Sequence, residues 1–439
     1  MRKSDLKGKK VVIWGTGREG RAAAEYIRKQ QSDQVFTFVD EDPKADMSFL
    51  ASGDKKAVNS VDIKSALDGA DVIIKSPGVS LYHPLLRGKT TTSLLNLWLA
   101  EPHEAKIICV TGSKGKSTTS SLLAHTLNAL GEKAALLGNI GVPVTEFSAE
   151  EKGYAIVEVS SYQAATLSEA CDIGVVTSLY PEHLDWHGSL KAYYRDKLNL
   201  LTYSGKSIVN AEAAQTAKEN GITIDKAILF NTPTGFHIKD GQVFDKETPL
   251  RFLKNTYLSR AHNLVNVCAA LTVLKELGIA PKNALPKMES FQALPHRQQE
   301  LGEKDGITFV DDSISTTPQS AIAAMEAYTG RPLTLLAGGF DRGIDYAPLV
   351  DYVQKMEINA VVCMGPSGER IYKDLHTPNA FYAPTLQEAV AIALEKTPLG
   401  GVILLSPASP SYGMFKNFEE RGNVFAELTS MEGTPSCRR

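Results

Sequence analysis

Cysteine is scarce in this chain, and neither sign of charge dominates it. Five cysteines (Cys109, Cys171, Cys268, Cys363 and Cys437) are scattered over 439 residues. Their number is odd and no pair has the spacing of a metal site or a redox motif. That excludes a disulfide scaffold and points to a reducing compartment. Cys109 and Cys363 fall inside apolar runs, where a thiol serves as a small core hydrophobe. Lys and Arg number 47 against 50 Asp and Glu, a net charge of −3. Such a balance supplies no electrostatic reason to expect nucleic acid or an anionic membrane as partner. Nowhere do roughly 18 apolar residues run together, so no membrane span is expected. The N-terminal Met-Arg-Lys-Ser-Asp-Leu-Lys is charged and leads straight into a strand, so no secretory signal is expected either. The expectation is a cytoplasmic protein.

Short apolar runs recur between amphipathic stretches: Val11–Trp14, Val35–Val39, Val72–Ile74, Ile107–Val110, Ala155–Val159, Ile173–Thr177, Ile307–Val310, Leu333–Leu336, Ala360–Cys363 and Val402–Leu405. Apolar on both faces, they read as buried parallel strands of α/β units. Polar, proline-containing breaks at Ala100–Ala105 and around Leu294-Pro295-His296-Arg297 divide the series. Three α/β domains follow, residues 1–102, 103–296 and 297–439, each of ordinary domain size. Within the second, Asn231–Leu253 alternates around Gly235 and Gly241 and suggests a small β-hairpin insert.

Gly15-Thr16-Gly17-Arg18-Glu19-Gly20 follows the first strand and opens a helix expected over Arg21–Gln30. Such glycines permit a tight turn and let backbone N–H groups approach an anion. Asp40 ends the next strand, where a ribose-binding carboxylate would sit. Alone this pattern says NAD, although any nucleotide or diphosphate can use the same cradle. Lys75-Ser76-Pro77-Gly78-Val79 ends another strand on the same carboxyl edge.

A second loop, Thr111-Gly112-Ser113-Lys114-Gly115-Lys116-Ser117-Thr118, joins the strand at Lys106–Val110 to a helix that Gly131 stops. Strand, loop, Gly-Lys-Ser and helix are the parts of a P-loop. Its amides would cradle ATP phosphates, Lys116 would reach the β/γ oxygens, and the Ser117 hydroxyl would ligate Mg²⁺. Glu158 ends an apolar strand, a costly place for a carboxylate unless it is paired or metal-bound. Pro181-Glu-His-Leu-Asp-Trp-His187 is dense in possible ligands.

The spacing between Gly112 and Gly115-Lys116 is two residues shorter than in the general Walker A pattern. That form resembles the Mur ligase family, and the resemblance covers essentially the whole chain. It implies a Rossmann-like N-terminal domain, a central P-loop ATPase-like domain and a C-terminal Rossmann-like α/β domain. The implied activity is an ADP-forming amide ligase that runs through an acyl phosphate, in cytoplasmic synthesis of peptidoglycan precursors. UDP-N-acetylmuramoyl-L-alanine and glutamate are the implied substrates, with ATP and two Mg²⁺ ions. A monomer is the expectation.

By resemblance, the first domain holds UDP and not NAD, with Gly15, Arg18, Glu19, Asp40, Ser76 and Gly78 around it and Asn139 near the phosphates. His183 and Glu158 match metal ligands, and Lys197 matches a lysine carbamylated into a carboxylate-like Mg²⁺ ligand. Lys116, His183 and Lys197 thus form the implied catalytic set. Asn266, in His262-Asn-Leu-Val-Asn266, matches a contact to adenine, Arg297 one to the ATP phosphates and Asp312 one to the ribose. Thr316, Ser411 and Phe418 match contacts to glutamate, and Arg342 stands where most members carry a lysine. Ile314 replaces another lysine, and a guanidinium fork grips a carboxylate differently from an ammonium. Most of the family adds D-glutamate, the main expectation. The wording Asp312-Ser-Ile-Ser-Thr-Thr-Pro318, with Asp341-Arg-Gly343 and Pro410-Ser-Tyr-Gly413, resembles a small subgroup that adds L-glutamate, which is the alternative. Other ligases of the superfamily, a nicotinamide-dependent oxidoreductase and an ATP-bound switch are remoter readings.

Overall fold

The computed structural model describes residues 1–139, 142–251, 253–292, 294–341 and 343–429; Arg342 and Cys437 lie outside them. Among these residues are three large sheets and a small one. The chain divides into two compact units, Met1–Phe291 and Gln292–Arg439.

The first unit carries two parallel sheets. In spatial order the first is Lys55–Ala57, Phe36–Val39, Val11–Trp14, Val72–Lys75 and Thr91–Thr92. The second is Ile228–Phe230, Ser204–Asn210, Cys171–Val176, Lys106–Thr111, Tyr154–Glu158 and Ala134–Gly138. The central strands of the first sheet are buried along their whole length, and those of the second are buried except at Lys106, Tyr154 and Asp172 near their starts, as a parallel sheet covered on two faces requires. One continuous core runs from Val11, Ile13 and Phe38 through Leu94–Leu99 to Cys109, Leu137 and Val157. Trp98 is wholly enclosed in it; burying an indole stabilises the fold by roughly 5 kcal/mol before entropic costs. The helix Leu94–Leu99, capped by Ser93, therefore cements the first sheet to the second.

The second unit is a six-stranded sheet. Gln299–Lys304 pairs antiparallel with Ile307–Asp311, followed by Val402–Leu405, Leu333–Gly338, Ala360–Met364 and Ala380–Ala383, all parallel. Cys363 is buried in it, as Cys109 is in the second sheet.

Several elements differ from the sequence expectation. The first helix begins at Arg18 and ends at Arg28, because Gly17 takes the extended capping conformation and leaves Arg18 and Glu19 in the first turn. The stretch Asn231–Leu253 holds three antiparallel strands, Phe236–Lys239, Gln242–Asp245 and Thr248–Pro249. Its first turn places Asp240 and Gly241 at φ 49° and 72°, the twist a two-residue hairpin favours. The edge strand Gln299–Lys304 carries polar and exposed positions, so no apolar run marks it, whereas Ala134–Gly138 has a short apolar run that is mostly half-buried.

Candidate active site

The P-loop joins Lys106–Thr111 to the helix Lys116–Ala129. Gly112 and Gly115 take φ of +152° and +83°, and Gly115 needs a glycine for two reasons. Its left-handed backbone disfavours a side chain, and a Cβ there would collide with the Asn266 amide oxygen. The following segment supports the loop: Lys114 N–H donates to Ser178 Oγ (2.8 Å), Ser113 Oγ accepts from Tyr180 N–H (2.8 Å) and lies 2.8 Å from the Tyr193 hydroxyl. Lys116 folds back, its Nζ donating to the carbonyls of Gly112 (2.7 Å) and Ser113 (3.2 Å). The side chain therefore lies over the cradle that phosphates would occupy. Ser117 and Thr118 are buried, as is Thr111, whose hydroxyl has no hydrogen-bond partner. Asn266, expected at adenine, sits behind the loop, accepting from the Thr119 hydroxyl (3.3 Å) and donating to Asn263 Oδ1 (3.1 Å).

Beside the loop lies a cavity of about 260 Å³ lined by Lys116, Asn139, Tyr162, Glu182, His183 and Lys197. The structure thus brings together four residues singled out in the sequence, and adds Tyr162 and Glu182. Lys197 projects from the helix Leu190–Thr202, is buried, and donates to the Gly112 carbonyl (3.0 Å). Burial foremost, then the neighbouring charge of Lys116, pushes its ammonium well below the usual lysine range, against the pull of Glu182 and Glu158. His183 adopts a left-handed backbone, φ 54°, and its Nδ1 lies 2.8 Å from the Tyr162 hydroxyl. A non-glycine residue held in that region is a strained position of the kind found at functional sites. Lys114 pairs with Glu182 at 3.0 Å.

Glu158 ends its strand buried, and its Oε2 has no hydrogen-bond partner. An unsatisfied carboxylate oxygen next to a P-loop fits a hard cation. Among the described residues no group of three His, Cys, Asp or Glu forms a metal cluster. The expected donors include only two of those types, Glu158 and His183, the others being the Ser117 hydroxyl and Lys197.

The carboxyl edge of the first sheet carries the other loop. Gly15 has φ +102°, and a Cβ there would lie 2.5 Å from Ser76 Oγ, so the two turns interlock. Asp40 accepts from the Thr16 N–H (3.0 Å) and hydroxyl (2.7 Å). Burial pushes its carboxyl up, but the hydrogen bonds from Thr16 and the Asp42 backbone hold it below the usual range. Gln163 Nε2 donates to Glu19 Oε1 (2.8 Å), and burial raises Glu19 despite that bond. Arg18, Gly78 and Asn139 are exposed. Lys75, which the sequence reading passed over, is buried and drawn down to about 8 by its burial, with Glu19 opposing.

In the second unit, Asp312 is buried at the end of Ile307–Asp311. It accepts from the Gln298 N–H (3.0 Å) and the Ser406 hydroxyl (2.7 Å). Burial pushes its carboxyl up to about 6, against hydrogen bonds from Ser315 and Ser406 and the nearby Arg297 charge. Thr316, Arg297 and Phe418 are half-buried and Ser411 is buried. Beneath them lies a charged cluster without an assigned role in the sequence reading. His296 Nδ1 is 2.6 Å from Asp311 Oδ2, and Arg421 donates to Ser313 Oγ (3.0 Å), the Ser313 carbonyl (2.8 Å) and the Ser409 carbonyl (3.0 Å). A signal existed in the sequence: Arg421 shares a helical face with Phe425, four residues on, so it points inward.

Residues 110–274 match the Mur ligase middle domain, and residues 296–409 match the Mur ligase glutamate ligase domain. Proteins named UDP-N-acetylmuramoyl-L-alanine–L-glutamate ligase are similar along their whole length. That of a Micromonospora species is 40% identical, with 97% of this chain and 98% of the relative covered. That of Xanthomonas axonopodis pv. citri is 36% identical, with 98% and 97% covered. The chain belongs to the Mur ligase family. Its members are ATP-dependent ligases, and this Mur ligase is one of them. Among solved structures, UDP-N-acetylmuramate–alanine ligase from Thermotoga maritima matches 96% of this chain and 99% of its own, with TM-score 0.59 and 18% identity. A MurF ligase from the same organism, in complex with ADP, has TM-score 0.56 and 14% identity over 98% and 97%. At such identities these two bear on the fold alone. The named relatives favour the L-glutamate alternative over the D-glutamate expectation. In this Mur ligase the P-loop, Lys197, Glu158 and His183 all lie within the matched middle domain.

Proposed function

We propose that this ligase joins L-glutamate to UDP-N-acetylmuramoyl-L-alanine, with ATP converted to ADP and phosphate. The observation that carries this reading is end-to-end similarity to ligases named for that reaction, at 36–41% identity. A carboxylate oxygen of the sugar-nucleotide substrate attacks the γ-phosphorus of ATP, ADP leaves, and an acyl phosphate forms. The amine of glutamate then attacks the acyl carbon, phosphate leaves, and the nitrogen sheds a proton to become the amide. Lys116, on leaving the carbonyls of Gly112 and Ser113, would meet the phosphate oxygens and offset their charge. Mg²⁺, two ions on this reading, would supply further neutralisation of those oxygens. Ser117, Glu158, His183 and Lys197 would hold it, and Tyr162 would orient His183 through Nδ1. A Lys197 amine driven toward its neutral form is the species that adds to carbon dioxide, releasing a proton and gaining a carbamate. That supports its modification into a metal ligand.

The residues around Gly15 and Ser76 would hold the UDP moiety, with Arg18 and Asn139 presenting exposed polar groups. Thr316, Arg342, Ser411 and Phe418 would contact glutamate, and Arg297 and Asp312 would contact ATP. Domain limits at 1–102, 103–296 and 297–439, a monomeric state and a cytoplasmic location belong to the same proposal; among the described residues no helix is long and apolar enough to cross a membrane. Incubation with each glutamate enantiomer, followed by mass analysis of the sugar-nucleotide product, tests it. Growth of the product by one glutamyl residue with the L form supports the reading. Growth only with the D form refutes the stereochemistry, and growth with neither refutes the activity.

A further inference from the structure

A polar network, buried at His187 and Asp196 and reaching the surface at Tyr82, ties the loop after Ser76 to the segment that carries His183 and Lys197. Ser80 Oγ donates to the Trp186 carbonyl (2.9 Å), and Trp186 Nε1 donates to the Pro77 carbonyl (3.0 Å). The Tyr82 hydroxyl donates to both oxygens of the Asp196 carboxylate, at 2.8 and 2.9 Å, across 114 residues of sequence. Arg195 donates to the same hydroxyl at 3.2 Å. Asp196 Oδ2 also lies 2.7 Å from His187 Nδ1, and His187 Nε2 lies 3.1 Å from Ser161 Oγ. His187 and Asp196 are both buried.

The network ends beside the catalytic residues. Asp196 immediately precedes Lys197. Ser161 immediately precedes Tyr162, which contacts His183 Nδ1. A buried polar network contributes no more stability than packed apolar side chains would, and less if any member is unsatisfied. Stability alone therefore does not account for a His–Asp–Tyr chain at this place. A helix such as Leu190–Thr202 is stiff and shifts as a unit, so fixing Asp196 also fixes Lys197.

We propose that Tyr82, Asp196 and His187 are positioning residues that couple occupancy of the sugar-nucleotide site to the placement of Lys197 and His183. The inference rests on the reading of Ser76–Gly78 as part of that site. A ligand that orders Pro77–Tyr82 leaves less motion to be lost when nucleotide binds, so each ligand tightens the other by one common factor.

The test uses the full chain and the variant Tyr82→Phe, which removes one hydroxyl from a half-exposed ring. Calorimetry gives the affinity for a non-hydrolysable ATP analogue with Mg²⁺, with and without saturating UDP-N-acetylmuramoyl-L-alanine. The wild type is expected to bind the analogue about tenfold tighter with the sugar nucleotide present, within the usual range for coupled sites. Tyr82→Phe is expected to bring that factor within about twofold of unity while each ligand alone binds within about twofold of wild type. Asp196→Asn should lose the coupling too, and the double variant should lose no more than either single one. A merely structural role would weaken binding without changing the factor. Retained coupling in Tyr82→Phe, or none in the wild type, overturns the inference alone. A wild type that does not bind the sugar nucleotide overturns the proposed function, and the inference with it.

Discussion

Replacing Gly115 by alanine tests the reading of the P-loop as a cradle shaped by its backbone. An L-residue in the left-handed conformation of this position costs about 1–2 kcal/mol. The added methyl also strikes the Asn266 side-chain oxygen, and Thr177 Cβ lies 3.5 Å from it. Asn266 must then shift, giving up its bonds with Thr119 and Asn263, each worth about 1 kcal/mol. Together these terms predict a loss of about 3–4 kcal/mol. Asn266→Ala alone forfeits the two bonds, about 2 kcal/mol, but also removes the atom that is struck. The double variant should therefore cost about 3–4 kcal/mol, some 2 kcal/mol less than the sum of the singles. Trp14, Trp98 and Trp186 all fall within residues 1–291, so urea unfolding followed by tryptophan fluorescence reports on the unit concerned. Strict additivity would refute the packing argument. A Gly115→Ala variant as stable as the wild type would refute the backbone argument as well.

Other outcomes follow from the same geometry. Lys116→Met should lower phosphate release about 10²–10³-fold, the cost of losing one preorganised cationic donor; single-turnover phosphate detection reads it. Chelation of divalent ions should abolish release and added Mg²⁺ restore it, with EDTA titration as the measurement. Asp312 is raised from 3.8 to about 6 by burial, so the folded state keeps its proton between those pH values while the unfolded state gives it up. The stability it contributes is present below about pH 4 and lost as pH rises through about 6. Asp312→Asn stays neutral, so relative to wild type it should gain about 3 kcal/mol between pH 3.5 and pH 7; denaturant unfolding at the two pH values checks this.

The central strands were legible because they are apolar on both faces. Val11–Trp14 is found where its run predicts, and Leu333–Leu336 extends only to Gly338. Ser204–Asn210, one strand in from the edge of its sheet, begins with half-buried and exposed residues and shows no such run. The P-loop was legible because its function needs fixed glycines and a lysine at fixed spacing within a strand–loop–helix. The support behind it was not, since Ser113, Tyr180 and Tyr193 come from separate elements. The same limit hides Tyr82 and Asp196, each unremarkable in its own stretch until the fold brings them together. His296 lies in the break at Leu294–Arg297, and Arg421 lies three residues after Phe418. Apart from the helical spacing of Arg421 and Phe425, burial is what separates them from surface charges.

The most direct test of the account is phosphate release from ATP with UDP-N-acetylmuramoyl-L-alanine and Mg²⁺, run in parallel with L- and D-glutamate. Release is expected to depend on L-glutamate and to be absent with D-glutamate. Release with D-glutamate alone, or release indifferent to any amino acid, would contradict it.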